Sequence, residues 1–220
     1  MAAKRVPADV RRRHLVETAL VIAEREGPAA VTARRVAAGA HVSLGLVHYC
    51  FENTQELFRQ MAERMVEQLG EVALPALAAP ASGADVRAFL DMALAALWRE
   101  IEVTAGRQLL TYEMTTYAVR TRGLEAIAQR QYEVADQVAS ELLQNLAQLA
   151  DVSWSAEVGE LARLVVMAVD GATLRWLTDR DSSRALTSLS FVADLIAAAA
   201  RPGGPVPDRA HPERRTMHSR

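Results

Sequence analysis

Apolar residues recur at helical spacing along almost the whole 220-residue chain, and this periodicity constrains the fold more than any other feature. Strand-like alternation is absent, and the one hairpin-type dipeptide, Asp170-Gly171, lies inside a long apolar segment. No segment reaches the roughly 18 uncharged apolar residues that a transmembrane helix needs. The single cysteine, Cys50, excludes an internal disulfide. We therefore expect an all-α protein that is soluble and cytoplasmic and has no membrane partner.

Glycine, proline and capping residues divide the chain into nine predicted helices. Gly27-Pro28 ends the first helix, Thr32 and Ser43 can cap two short helices, and Asn53 or Thr54 begins a fourth. A Pro- and Gly-containing linker at 74–83 precedes five longer helices. These signals predict three regions: an N-terminal helical domain at 1–53, a helical-bundle domain at 54–200 and a disordered tail at 201–220.

The net charge of −2 is distributed unevenly along the chain. Residues 1–64 carry 10 basic and 7 acidic side chains, residues 65–200 carry 10 and 18, and residues 201–220 carry 5 and 2. The N-terminal region is thus basic, and residues 65–200 are acidic. This asymmetry suggests that the N-terminal region binds a polyanion.

Residues 32–51 form the segment that points most directly to function. Two short predicted helices with a tight break between them, preceded by a longer helix, indicate a helix-turn-helix unit. Its inward positions are Val36, Ala37, Val42, Val47 and Phe51. The opposite face of the third helix, which would enter the major groove, carries Ser43, Leu44, Leu46, His48 and Tyr49.

Further residues of the N-terminal region could contact DNA phosphates. Thr32 and Arg34 lie at the start of the second helix, and Thr54 lies at the start of the fourth. The run Arg11, Arg12 and Arg13 could add backbone or minor-groove contacts, together with Lys4 and Arg5.

The N-terminal region resembles the tetracycline-repressor (TetR) family of bacterial transcription regulators. The resemblance covers about 45 residues and is carried by Leu15, Ala19, Gly27, Thr32, Val36-Ala37, Val42-Ser43-x-Gly45, Phe51 and Glu56-Leu57. It implies a homodimeric regulator, usually a repressor, that leaves its operator when a small molecule binds the C-terminal domain. The chain departs from the family pattern at three positions: His41 replaces the usual turn glycine, His48 the usual tyrosine, and Thr54 the usual lysine.

The last two predicted helices are unusually poor in charge, and the final one is apolar along two stripes. A chain of this length would bury such a helix more easily against a partner, so we expect a two-fold dimer in which both helices join a four-helix bundle. The alternative is a core helix of a monomer. The predicted interface residues are Leu161, Leu164, Leu186, Leu189, Ala193 and Ile196.

The helices between 85 and 178 are rich in aromatic and methionine side chains, as small-molecule pockets are. A packed core would show the same composition. The predicted effector contacts are Met92, Trp98, Tyr112, Glu113, Thr116, Tyr117, Met167, Asp170 and Trp176. The effector itself is expected to be small and largely hydrophobic.

Other functional classes receive less support from the sequence. The common catalytic motifs are absent, so an enzyme is disfavoured and no cofactor is expected. His41, His48 and Cys50 lie on different helix faces without an acidic companion, so no metal site is predicted. A regulator without an inducer and a protein-interaction adaptor both stay open.

Overall fold

The computed structural model describes residues 7–73 and 85–202. Within these ranges, nine α-helices make up nearly all of the regular structure, which confirms the predicted all-α class. Their bounds are α1 Ala8–Glu26, α2 Ala33–Gly39, α3 Leu44–Cys50, α4 Thr54–Ala73, α5 Val86–Val103, α6 Ala105–Arg120, α7 Glu125–Ala150, α8 Val158–Asp179 and α9 Ser182–Ala198. None of the described helices is long and apolar enough to cross a membrane. The predicted linker at 74–83 and most of the predicted tail lie outside the described residues.

The helix ends follow from local chemistry. The hydroxyl of Thr32 accepts a hydrogen bond from the Arg35 amide, and that of Ser43 accepts one from the Leu46 amide, so both residues cap their helices as predicted. Asn53 rather than Thr54 caps α4, since its side-chain oxygen accepts a hydrogen bond from the Glu56 amide.

A short β-ladder corrects the expectation that strands are absent. Strand β1 (Val152–Trp154) pairs antiparallel with β2 (Ala200–Pro202). Asp151 ends α7 in the left-handed conformation, with φ of 52°, which directs the chain into the extended backbone of β1. The ladder links the end of α7 to the end of α9.

The core is divided between a head, α1–α4, and a body, α5–α9. Leu15, Ala19, Val36, Val47 and Phe51 are buried in the head, as the helix-turn-helix pattern predicts, and residues of α4 and α6 complete the same cluster. Two clusters fill the body, one formed largely by α5, α7, α8 and α9, and the other around the two buried tryptophans of α5 and α8. The head and the body therefore meet through α4 and α6.

Candidate nucleic-acid interface and interior polar cluster

Helix α3 has one buried face and one exposed face. Val47 and Cys50 are buried against α1 and α2, and this packing turns the opposite side outward. The exposed side chains are those of Ser43, Leu44, His48 and Tyr49, of which Tyr49 is 75% exposed. A short helix that presents polar and aromatic side chains on a firmly packed support can enter the major groove of DNA. Leu46 is an exception among the predicted contacts, because it is half-buried and packs against the head core.

The turn before α3 depends on His41. Its φ is 55°, in the left-handed region, where histidine is tolerated better than most side chains. The next amide, of Val42, donates a hydrogen bond to the Ala37 carbonyl over 3.0 Å and so closes the turn between α2 and α3. The turn thus keeps its shape although His41 stands where the family resemblance leads us to expect glycine.

Replacing His41 by glycine should therefore leave the fold intact and change stability little. Glycine removes the penalty of about 1–2 kcal/mol that a side chain incurs in the left-handed region. Its unfolded chain has more conformational freedom, and the loss of that freedom on folding cancels about 0.5–1 kcal/mol of the gain. We expect His41→Gly to be up to about 1 kcal/mol more stable than the parent in urea unfolding. His41→Val should instead lose stability, because a β-branched residue fits the left-handed region poorly.

Arg12 is engaged by groups of the head itself, although its side chain is 43% exposed. Its guanidinium donates a hydrogen bond to the Cys50 carbonyl over 2.6 Å and lies 5.6 Å from the centre of the Phe51 ring. It also pairs with Glu56 at 3.7 Å. These contacts tie α1 to the end of α3 and to α4. Arg12 thus helps to orient the exposed face of α3, and its role as a DNA contact stays a prediction.

The other basic side chains of the head differ in their exposure and in their ion pairs. Arg13 and Arg34 are exposed and form no ion pair or hydrogen bond with the residues that the structure describes, whereas Arg11 is half-buried. Arg35 pairs with Glu26. Thr32 and Thr54 lie at the exposed starts of α2 and α4.

The junction between head and body is built around α6. Leu110 and Met114 of α6 are buried in the head cluster, and Tyr117 contacts Phe58 of α4 with ring centres 5.1 Å apart. Tyr117 therefore belongs to this junction, and its assignment as an effector contact stays a prediction. At the start of α6, Arg107 pairs with Glu24 of α1 at 2.8 Å.

The first turn of α6 also approaches the backbone of α1 closely. A Cβ atom added to Gly106 would lie 2.8 Å from the carbonyl oxygen of Glu24, which is too close for any side chain. Glycine at this position therefore permits the contact between α1 and α6.

A polar cluster lies inside the body between α6, α7 and α8. The Tyr112 hydroxyl donates to Asp170, with its carbonyl oxygen at 3.1 Å and its carboxylate Oδ1 at 3.3 Å. Tyr132 and Asp136 of α7 face the same carboxylate. Burial raises the pKa of Asp170, and the charge of Asp136 raises it further, while the two tyrosine hydroxyls act in the opposite direction. Burial also raises the pKa of Tyr132 to about 12, with the Asp170 charge as the next cause.

Thr173 is the most deeply buried polar side chain of this cluster. Thr173 lies one helical turn beyond Asp170, is 1% exposed, and its hydroxyl forms no well-aligned hydrogen bond with any described residue. It lies beside the Tyr112 hydroxyl and lowers the pKa of that phenol, whereas burial and Asp170 raise it more strongly.

The structure brings only some of the predicted effector contacts together. Trp98 and Trp176 are both buried and meet edge to face, with ring centres 5.8 Å apart, next to α8. Met92, Thr116 and Met167 are exposed, so the interior cluster does not include them. Glu113 is half-buried, and its side chain forms no hydrogen bond or ion pair with the described residues of the cluster. Sequence reasoning missed Thr173, which lies one turn beyond Asp170 on α8. It also missed Tyr132 and Asp136, which come near Asp170 only once α7 packs along α8.

The predicted dimer residues divide into two groups. Leu161, Leu189, Ala193 and Ile196 are buried in the body's own core, so a partner chain has nothing left to cover there, and their assignment is corrected. Leu164 and Leu186 are exposed. They share α8 and α9 with further exposed apolar side chains, and we call the whole set the outer face: Leu164, Met167, Leu174, Leu186, Phe191 and Leu195.

A polar groove lies at the start of α4. It has a volume of about 500 Å³ and runs between Glu52–Arg59 and the turn at 122–124. None of the predicted effector contacts lines it.

Comparison with known proteins agrees with the geometry of the head. Residues 15–61 match the family model of bacterial regulatory proteins of the tetR family. The chain is 25% identical over 174 residues to the HTH-type nicotine-responsive transcriptional repressor HdnoR of Paenarthrobacter nicotinovorans, covering 79% of this chain and 87% of that protein.

Solved structures share the whole architecture. A TetR transcription regulator from Haloarcula marismortui superposes with a TM-score of 0.71 at 14% identity, over 88% of this chain and all of that one. FadR from Bacillus subtilis, in complex with stearoyl-CoA, superposes with a TM-score of 0.62 at 12% identity, over 85% of this chain and 98% of that one. The arrangement of head and body is thus a known one.

Proposed function

We propose that the chain is a DNA-binding repressor of the tetR family of bacterial regulatory proteins, and that it binds operator DNA as a homodimer that a small molecule releases. The family is not one of enzymes. Such a regulator acts where the operator lies, in the cytoplasm.

The exposed face of α3 is the observation that carries the DNA-binding part of the proposal. Ser43, Leu44, His48 and Tyr49 project from a helix whose other face is fixed in the head core. We assign base contacts to these side chains and phosphate contacts to Arg13, Arg34, Thr32 and Thr54, which surround α3 on exposed positions.

The outer face supports the homodimer. Six large apolar side chains on α8 and α9 are left exposed, and patches of this kind usually mark an interaction surface. A two-fold pair is also what a helix-turn-helix protein needs in order to place two recognition helices about 34 Å apart on successive turns of DNA.

Release by an effector requires a physical connection between body and head, and α6 provides one. It carries Tyr112 of the interior cluster, Tyr117 against Phe58 of α4, and Gly106 against α1. A molecule that prefers one position of α6 would therefore shift the head and weaken DNA binding by its differential affinity. The relatives named above respond to nicotine or were crystallised with stearoyl-CoA, and this diversity is consistent with an effector site in the body.

Substitutions on the two kinds of DNA contact should have different consequences. Tyr49→Ala is expected to reduce affinity for a selected operator by about 1–3 kcal/mol while affecting random duplex much less, because a base contact is lost. Arg34→Ala should weaken binding to both duplexes by a similar factor and reduce the slope of log K against log salt by about 1. Duplexes selected from a random pool, titrated at several salt concentrations, provide the measurement.

Arg130→Ala is a suitable control, because Arg130 is exposed on α7 and pairs only with Glu133 nearby. It should change neither affinity nor salt slope. Equal losses for Tyr49→Ala on selected and random duplex would contradict the assignment of α3 to base contacts. A salt-independent interaction of the parent protein would favour an adaptor that binds protein.

A further inference from the structure

We infer that the turn between α6 and α7 is a second DNA-contact surface, on which Arg122 binds a backbone phosphate beside the start of α4. This inference rests on the proposed function, because it adds a contact to the same operator complex. The body, and not the head alone, then touches DNA.

The turn carries two arginines that lack an acidic partner. Arg120 and Arg122 are exposed, and neither forms an ion pair or a hydrogen bond with the residues at 7–73 and 85–202. Two cations that the protein itself leaves unpaired attract an anionic partner, although residues 65–200 carry 10 basic and 18 acidic side chains. Most arginines of the body are instead engaged by an acid or an aromatic ring: Arg87, Arg107, Arg130, Arg175, Arg180 and Arg184.

The backbone of this turn is held in one conformation. The Thr121 carbonyl accepts a hydrogen bond from the Leu124 amide over 3.0 Å. The Gly123 amide, with φ of 88°, donates to the Glu125 carboxylate over 2.7 Å. Leu124 is 3% exposed and packs in a small cluster with residues of α6 and α7. Because the turn is fixed before DNA binds, a phosphate contact made by Arg122 orders only its side chain.

The polar groove places this turn next to the DNA-binding face. Arg122 lines the groove together with Glu52–Arg59, a segment that begins directly after Phe51, where α3 has ended. The same segment includes Thr54, to which a phosphate contact is assigned above. A helix in the major groove lies between two phosphate backbones, so groups that flank the end of α3 face phosphates.

The charges of the groove leave Arg122 available. Its other arginine, Arg59, pairs with Glu63 at 2.6 Å. Glu52 lines the same groove but forms no ion pair with Arg122 in the part of the chain that the structure describes. The planar guanidinium of Arg122 therefore keeps its donors for a phosphate, which it can bind through two parallel hydrogen bonds. Thr54, across the groove, supplies no charge of its own.

Replacing Arg122 by alanine should weaken binding to a selected operator and to random duplex by a similar factor, about tenfold for a dimer. The slope of log K against log salt should become shallower by about 0.9 for each protomer, because one phosphate contact is lost per protomer. Arg122→Lys keeps the positive charge and should retain most of the affinity and of the slope. Titration of the full chain with both duplexes at several salt concentrations gives these quantities.

Neutral linkages in the DNA locate the contact. A methylphosphonate, which carries no charge, replaces one phosphate of the operator at a time. A linkage at the phosphate that Arg122 binds should weaken the parent by about the same factor as Arg122→Ala, and should leave the affinity of that variant unchanged. If every linkage weakens the parent and Arg122→Ala equally, the inference is overturned.

Arg99→Ala is the matched control. Arg99 is an exposed arginine of α5 that does not line the groove, and it donates to the Ala95 carbonyl of its own helix. Its removal changes the net charge by the same amount as Arg122→Ala and should alter neither affinity nor slope. An equal loss in Arg99→Ala would mean that net charge, and not a contact at the turn, is responsible.

The parent protein separates this inference from the proposed function. If the parent binds a selected operator and Arg122→Ala binds it with the same affinity and slope, the contact is absent while the proposed function stands. If the parent selects no duplex from a random pool, the proposed function fails and the contact fails with it.

Discussion

Phe191→Asp is expected to convert the protein from a dimer to a monomer and to reduce operator affinity at least about 100-fold. Phe191 is 67% exposed and is the most exposed large apolar side chain of the outer face. In a two-fold dimer an aspartate there would be buried without a counterion. A monomer loses the effective concentration that links the two half-site contacts, which is commonly worth a factor of 10²–10⁴. Sedimentation analysis gives the assembly state, and titration of a selected operator gives the affinity.

Val103→Asp is the matched control. Val103 is 78% exposed at the end of α5, so the same change is made at an even more accessible apolar side chain outside the outer face. This variant should stay dimeric and bind DNA as the parent does. A parent protein that is monomeric at micromolar concentration, or a Phe191→Asp variant that still sediments as a dimer, would contradict the proposed interface.

Much of the head could be predicted because its signals are local. Thr32 and Ser43 were identified as caps from the residues that follow them, and the structure shows both hydrogen bonds. Val36 and Val47 were placed inside by helical periodicity alone. The left-handed conformation of His41 is what the family resemblance implies, since glycine is usual at this position of the turn. None of these predictions required knowledge of distant contacts.

The helices of the body were harder to orient. Helix α9 is apolar on two stripes, and periodicity cannot decide which stripe faces the chain's own core. The structure buries Leu189, Ala193 and Ile196 and exposes Phe191 and Leu195. That choice is made by packing against α5 and α8, which brings together residues far apart in sequence.

The hydrogen-bond and charge partners of polar side chains could not be predicted, for the same reason. A run of arginines predicts a basic surface, but the Cys50 carbonyl that binds Arg12 lies 38 residues away. Asp170 was recognised as an inward-facing group, yet its neighbours on α7 became apparent only from the fold. The part of the candidate site that depends on one helix was predictable, and the part that depends on helix packing was not.

Gly106→Ala should destabilise the protein by about 1–3 kcal/mol, although alanine is the better helix former. The added Cβ would lie 2.8 Å from the Glu24 carbonyl oxygen, a backbone atom that cannot turn aside, so α6 and α1 must separate. That movement strains the Arg107–Glu24 ion pair and shifts Leu110 in the head core. Because the head is positioned from α6, operator affinity should also fall, by about tenfold.

Gly159→Ala isolates the contact from the effect of helix propensity. Gly159 is the second residue of α8, as Gly106 is of α6, and a Cβ there would meet nothing within 4 Å. The gain in propensity is the same for both variants, so the difference between their free energies of unfolding measures the α1–α6 contact itself. Gly159→Ala should be neutral or more stable by less than about 1 kcal/mol, with unchanged operator affinity. Equal stabilities of the two variants would mean that α6 does not press on α1, and the proposed route from the interior cluster to the head would then lose its first link.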